Sequence, residues 1–109
     1  MAINPNPLEK YIWKNRVIVT FSPNENHIKR NYFLSSINRN LCEVNSRDIV
    51  HIDLLFSNKN NKIEKLGNYY TNLFLSRNEF RLILIGKDGG IKLDTTNSSL
   101  DEIFSLIDT

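Results

Sequence analysis

Cys42 is the only thiol in the sequence, and that scarcity removes several chemistries at once. A disulfide or an intrachain redox couple needs two cysteines, and a cysteine-based zinc site needs at least a closely spaced pair. The two histidines, His27 and His51, stand far apart and without metal-ligand spacing, so neither a metal nor a cofactor is expected. An excess of charge of one sign is missing too. With 14 Lys and Arg against 12 Asp and Glu, the formal charge is only +2, too small to argue for a nucleic-acid partner, and none is expected. No apolar run approaches the ~20 residues that span a bilayer, so membrane insertion is not expected. The opening "MAINPNPLEK" has no apolar core of a signal peptide.

What remains is ordinary globular material. The chain has 109 residues, 40% apolar and 24% charged, which favours one domain with a core of its own. Residues 1–12, with Pro5 and Pro7, are expected to form an N-terminal arm, and 13–109 the domain. Asn recurs in loops and helices alike, as in "SNKNNK" (57–62), and points to no function.

"RVIVTF" (16–21) is a short β-branched run and predicts a buried strand. "SPNE" (22–25) follows and has the form of a helix start, with Ser22 as N-cap, Pro23 at the first helical position and Glu25 completing a capping box. Ile28, Tyr32, Phe33, Ile37, Leu41 and Val44 then recur at helical spacing and predict one long amphipathic helix, with Lys29, Arg30, Asn38 and Arg39 on its wet side. "RDIVHIDLLF" (47–56) predicts a second strand. Leu66, Tyr69, Tyr70, Leu73 and Phe74 predict a weaker second helix, interrupted by Gly67. "EFRLILIG" (79–86) and "IKLDT" (91–95) are two further strands joined through "KDGG", a hairpin. "SLDE" (99–102) repeats the capping-box pattern before a last helix.

The order β-α-β-α-β-β-α is that of a thioredoxin-like α/β core. It implies a four-stranded mixed sheet with helices on both faces.

Four stretches invite a functional reading. "LIGKDGGIKLD" (84–94) has the glycines and lysine of a phosphate loop, but its Lys precedes the glycines and a strand follows them. A phosphate loop ends in a helix N-terminus, so the stretch is better read as a tight turn, with positive φ near Gly89 and a bulge at Gly90. Lys87 and Asp88 are left as candidates for contact with a partner. The start of the first helix is where thioredoxin-like enzymes place a nucleophile, activated by the helix dipole. "SPNENHIK" (22–29) offers Ser22, Glu25 and His27 but no cysteine, and thiol–disulfide exchange needs a thiolate. "NEFRL" (78–82) also lacks the proline that redox members of that fold usually carry before the third strand. Cys42, near the far end of the helix, is read as a small half-buried apolar residue.

His51 and Asp53 share a strand face, and Ser22 ends the neighbouring strand, so a hydrolase triad can be drawn. It lacks a glycine-flanked nucleophile elbow, and a hydrogen-bonded His51 and a turn-capping Asp53 are the simpler expectation. Arg47 and Asp48 are read as strand-entry polar residues or a salt bridge. In "YIWKNR" (11–16), Tyr11 and Trp13 are expected to fold back over the sheet edge rather than stack on bases.

"WKNR" before the first strand, "SRDIV" opening the second, "LILIGKDGGIK" across the hairpin and "LIDT" at the end resemble domain of unknown function 4174. That family comprises small bacterial proteins and modules of vertebrate secreted proteins, including sushi-repeat-containing ones. The resemblance covers nearly the whole chain. It implies a thioredoxin-like, distantly peroxiredoxin-like fold, an exported setting and a binding role, and it carries no catalytic residues across. It also implies a short Met-Pro-Met-Arg continuation past the final Ile-Asp, so that the sequence ending at Thr109 reads as a trimmed domain. The expectation is therefore a non-enzymatic binding domain for an unknown protein or extracellular partner. The alternative is an enzyme with unfamiliar or residual peroxiredoxin-like chemistry at the start of the first helix.

Overall fold

Alternation in "RVIVTFS" (16–22) builds the centre of the molecule. In the computed structural model, which describes residues 8–56, 79–97 and 99–108, these residues form β1, Arg16–Ser22. Val17, Val19 and Phe21 point to one side and Ile18 to the other, each side in its own apolar cluster. β1 pairs in parallel with β2, Ile49–Leu55, and antiparallel with β3, Arg81–Ile85. β4, Ile91–Thr95, closes an antiparallel hairpin on β3, giving a mixed four-stranded sheet in the order β2-β1-β3-β4.

A parallel pair requires a crossover, and α1, Ile28–Arg39, with α2, Leu41–Ser46, supplies it. The last helix is α3, Leu100–Asp108. Phe33 and Ile37 of α1, Val44 of α2, and Leu100 and Ile103 of α3 bury against Ile18, Ile49, Leu82 and Leu84. On the opposite face Leu8, from the stretch read as an arm, and Tyr11 pack with Val17, Val19, Phe21, Leu54, Ile83 and Ile85. The sheet is thus an apolar layer on both sides. The helix expected around Leu66, Tyr69, Tyr70, Leu73 and Phe74 lies outside the described residues. Among those described, no helix is long and apolar enough to cross a membrane.

Two helical expectations are corrected. Ser22 is not the cap of α1. It is the last residue of β1, paired with Leu55, and its carbonyl accepts from Phe56 N–H at 2.8 Å. A backbone already committed to the parallel ladder cannot also open a helix, and the fully buried position favours the sheet. Residues 23–27 turn instead, with Asn24 Oδ1 accepting from Asn26 N–H at 3.0 Å. His27 is the cap, its Nδ1 accepting from Lys29 N–H at 3.3 Å. The long helix also breaks, at Asn40 (φ −127°, ψ 32°), whose Nδ2 donates to Ser36 O at 2.8 Å. Ile28, Tyr32 and Leu41 are exposed although the helical spacing had placed them on the apolar face. The second capping box fares better, since Ser99 Oγ accepts from Glu102 N–H at 3.3 Å.

The hairpin turns as its glycines require. Gly89 has φ +86° and Gly86 N–H donates to Gly90 O at 2.9 Å. The bulge falls beyond Gly90: Ile85 faces Ile91 while Leu84 faces Leu93, which makes Lys92 the extra residue. Trp13 does not fold over the sheet edge. Its N–H donates to Lys87 O, its φ is +67°, and the side chain is 75% exposed. Arg16 Nη1 donates to Arg47 O at 2.9 Å.

Candidate functional site

The five candidate residues divide between opposite ends of the sheet. Ser22 is the C-terminal residue of β1, and Glu25 and His27 follow it. Lys87 and Asp88 follow Ile85, which pairs with Val17 near the other end of that strand, so the sheet separates them from His27. Lys87 Nζ pairs with Asp48 Oδ2 at 2.9 Å, as the salt-bridge reading of Asp48 allowed. Asp88 accepts from Gly90 N–H at 3.0 Å and pairs with Lys92 at 3.0 Å. Both residues are used in shaping the turn.

At the first end, Ser22 is fully buried, and its Oγ has no hydrogen-bond partner among the described residues. The triad drawn through Ser22 therefore does not assemble. His51 reaches Thr20, two residues earlier, with Nε2 to Oγ1 at 2.9 Å. Thr20 Oγ1 also donates to Asp53 Oδ1 at 3.2 Å. Asp53 in turn neither ends the strand nor caps a turn. It receives Arg30 through Nε at 3.1 Å and Nη2 at 2.7 Å. Arg30, expected on the wet side of its helix, is 17% exposed, against 23% for Asp53. Its Nη1 donates to Glu25 O at 2.9 Å.

Donor counting assigns the protons in this chain of four side chains. A carboxylate paired with a guanidinium only accepts, so the Thr20 hydroxyl must give its single proton to Asp53. His51 must then donate from Nε2, which places the neutral ring in its Nε2–H tautomer. Burial pushes the imidazole below its ordinary value of 6.5; Asp53 acts in the opposite direction and Arg30 in the same one. The rings of His51 and Phe33 meet edge to face, 5.3 Å between centroids and 76° between planes. Thr20 is only 1% exposed. The arrangement fastens α1 to β1 and β2.

Sequence reading placed His51 and Asp53 on one face but missed Thr20 and Arg30. The usable signal was the hydroxyl inside "RVIVTF", on the same face of β1 as Ile18 and opposite Asp53 in the parallel register.

An open groove of about 390 Å³ is lined by Ile28, Lys29 and Tyr32 of α1, by Phe80, and by Asn97, Ser99 and Glu102 near the start of α3. His27 stacks on Phe80 at 6.1 Å and 19°. Lys29 Nζ donates to Thr96 O at 2.9 Å, spanning the two walls. Ile28 is 79% exposed and Tyr32 63%. Cys42, expected half-buried, is exposed on α2. Among the described residues, no group of three or more His, Cys, Asp or Glu is arranged to hold a metal ion.

Comparison with known proteins agrees with this architecture. The family model described as Domain of unknown function (DUF4174) matches residues 7–109. Among curated proteins none matches. Among solved structures, the reduced 2-Cys peroxiredoxin of Plasmodium vivax is similar at TM-score 0.68 and 17% identity, over 93% of this chain and 80% of that one. Thioredoxin peroxidase I of Plasmodium yoelii gives TM-score 0.66 and 18% identity, over 93% and 75%. The mitochondrial 2-Cys peroxiredoxin of Plasmodium falciparum gives TM-score 0.58 and 14% identity, over 93% and 78%. At such identities the likeness establishes the thioredoxin-like fold and nothing finer.

Proposed function

Because the chain belongs to the DUF4174 family, a membership that brings a fold but no reaction, we propose that it works by binding a protein partner in the groove between α1 and α3. The observation that carries this reading is the exposure of Ile28 and Tyr32 on the first turns of α1, beside Phe80. Apolar side chains clustered around a concavity with a polar rim suit a partner's apolar anchor. The structural neighbours are named for two cysteines or for peroxidase activity, whereas this chain holds one cysteine. Cys42 lies beyond the far end of α1, about 18 Å along a twelve-residue helix from its start. Chemistry of the neighbours' kind thus has no thiol at the groove.

Two measurements test this. A partner captured by the wild type should be lost with Ile28→Ser/Tyr32→Ser, substitutions at exposed positions that leave the urea midpoint unchanged. Retention of the partner by the double variant refutes the groove. Separately, peroxide turnover with a dithiol reductant should stay at background; turnover that survives Cys42→Ser refutes the non-enzymatic reading.

A further inference from the structure

We propose that the Thr20–His51–Asp53–Arg30 chain is an acid-sensitive latch that holds the first turns of α1 against the sheet and releases them when His51 takes up a proton. Four side chains from three elements meet here, and Arg30 is the only one contributed by α1. On the same turns Ile28, Lys29 and Tyr32 form one wall of the groove. Arg30 points inward while its neighbours point outward, so the pairing with Asp53 sets the position of that wall.

The groups facing His51 determine what a second positive charge does. From β1 it meets the Thr20 hydroxyl, while Arg16, the charged residue of that strand, is turned to Arg47 O. From its own strand it has Asp53. From α1 it has Arg30 and the ring of Phe33, while Lys29 is turned to Thr96 O and Arg39 is exposed. From α2, Glu43 is occupied by Arg47. The site therefore holds one carboxylate for one guanidinium. An imidazolium makes two cations share Asp53 beside an aromatic ring, in surroundings that already disfavour the charged ring. Displacement of Arg30 relieves that excess, because the helix end can swing into solvent whereas β2 is held in the ladder. Imidazole is the side chain suited to such a change between about pH 7.5 and about pH 5.

His27 is the competing explanation. Its Nδ1 caps α1, and a protonated Nδ1 can no longer accept from Lys29 N–H. The test has to separate the two rings. Amide hydrogen exchange of Tyr32, Phe33 and Leu34, corrected for intrinsic rate, should lose about tenfold protection between about pH 7.5 and about pH 5. Leu82 and Leu84 of β3 should lose none. The loss should follow the NMR titration of the His51 ring rather than that of His27, and should disappear in His51→Gln, whose amide keeps a donor toward Thr20 without a charge. It should persist in His27→Asn, which remains a capping residue. Flat protection in the wild type overturns the latch, as does a loss that follows His27 or survives His51→Gln. If His51→Gln fails to fold, the two ring titrations in the wild type decide alone. Any consequence for partner capture rests on the groove reading, but the exchange experiment uses no partner, so either proposal can fail without the other.

Discussion

Lys87 reaches Asp48 across the N-terminal ends of β1 and β2, Nζ to Oδ2 at 2.9 Å. Asp48 is one of two non-glycine residues with positive φ among those described, at +55°; the other is Trp13. Trp13 N–H donates to Lys87 O, and the Asp48 carbonyl receives Arg16 N–H at 3.0 Å and Asn15 Nδ2 at 3.1 Å. The lysine of the hairpin thus joins two left-handed turns to the sheet. That explains a residue that hairpin geometry alone does not require, and it accounts for the company the glycines keep.

Ser22→Ala should be neutral or stabilising by up to about 1 kcal/mol, since it removes a buried hydroxyl that has no partner among the described residues. The N-cap reading would have required a loss of about 1 kcal/mol. Urea unfolding distinguishes the two signs, and a clear loss would mean that Ser22 Oγ has a partner after all.

Breaking the pair that fastens α1 should cost considerably more. Arg30→Met and Asp53→Asn are each expected to lose about 1–3 kcal/mol, the value for hydrogen bonds to charged groups reduced for partial exposure. In a double-mutant cycle most of that loss should appear as coupling between them. Strict additivity in denaturant melts would show that the contact contributes nothing.

Gly89→Ala should cost about 1–2 kcal/mol, because Gly89 sits at φ +86° where L-residues are strained. Gly86→Ala should cost less. A Cβ there meets the Lys92 side chain, whose Cε lies 2.5 Å away, and a flexible lysine can withdraw. Equal thermal shifts for the two variants would contradict this difference.

Stability should fall with acid in two windows. His51 is held below its ordinary 6.5, so the unfolded chain takes up that proton first. Its contribution is complete above about pH 6.5 and is lost as pH falls toward the folded-state value. Asp48, Asp88 and Asp108 are lowered from 3.8, mainly by hydrogen bonds from Lys87, from Gly90 N–H and from Arg47. Their contribution is complete above about pH 4 and is lost below it. Urea midpoints across this range should show both steps, and His51→Gln should remove only the upper one.

Elements built on unbroken apolar runs or on glycine were legible in the sequence. "RVIVTF" and "RLILI" fit a pleated strand buried on both faces, and the residue order in "KDGG" favours a positive-φ turn over a phosphate loop. The helix start was misread because "SPNE" satisfies capping rules locally while Ser22 is needed in the ladder with Leu55. Helical periodicity assigned Ile28 and Tyr32 to the core, yet it cannot tell a core face from a face turned toward a groove. Arg30 was placed in solvent by the same periodicity, since a pairing 23 residues away leaves no local trace. Thr20 illustrates the same limit: a β-branched residue in a strand passes for packing until the register sets a histidine and an aspartate beside it.

Arg47 joins parts of the chain that are made far apart in time. Its guanidinium lies 4.2 Å from the Phe104 ring centroid, pairs with Glu43, and reaches Asp108 across 61 residues. Closing so long a loop costs more entropy than zipping the β3–β4 hairpin. The seam between α2 and α3 is therefore expected to form after the rate-limiting step of folding and to open early in unfolding. Phe104→Leu should accordingly speed unfolding and leave the folding rate nearly unchanged in stopped-flow chevrons. The final helix is then less a foundation of the domain than a clasp put on at the end, and it sets how long the finished molecule lasts.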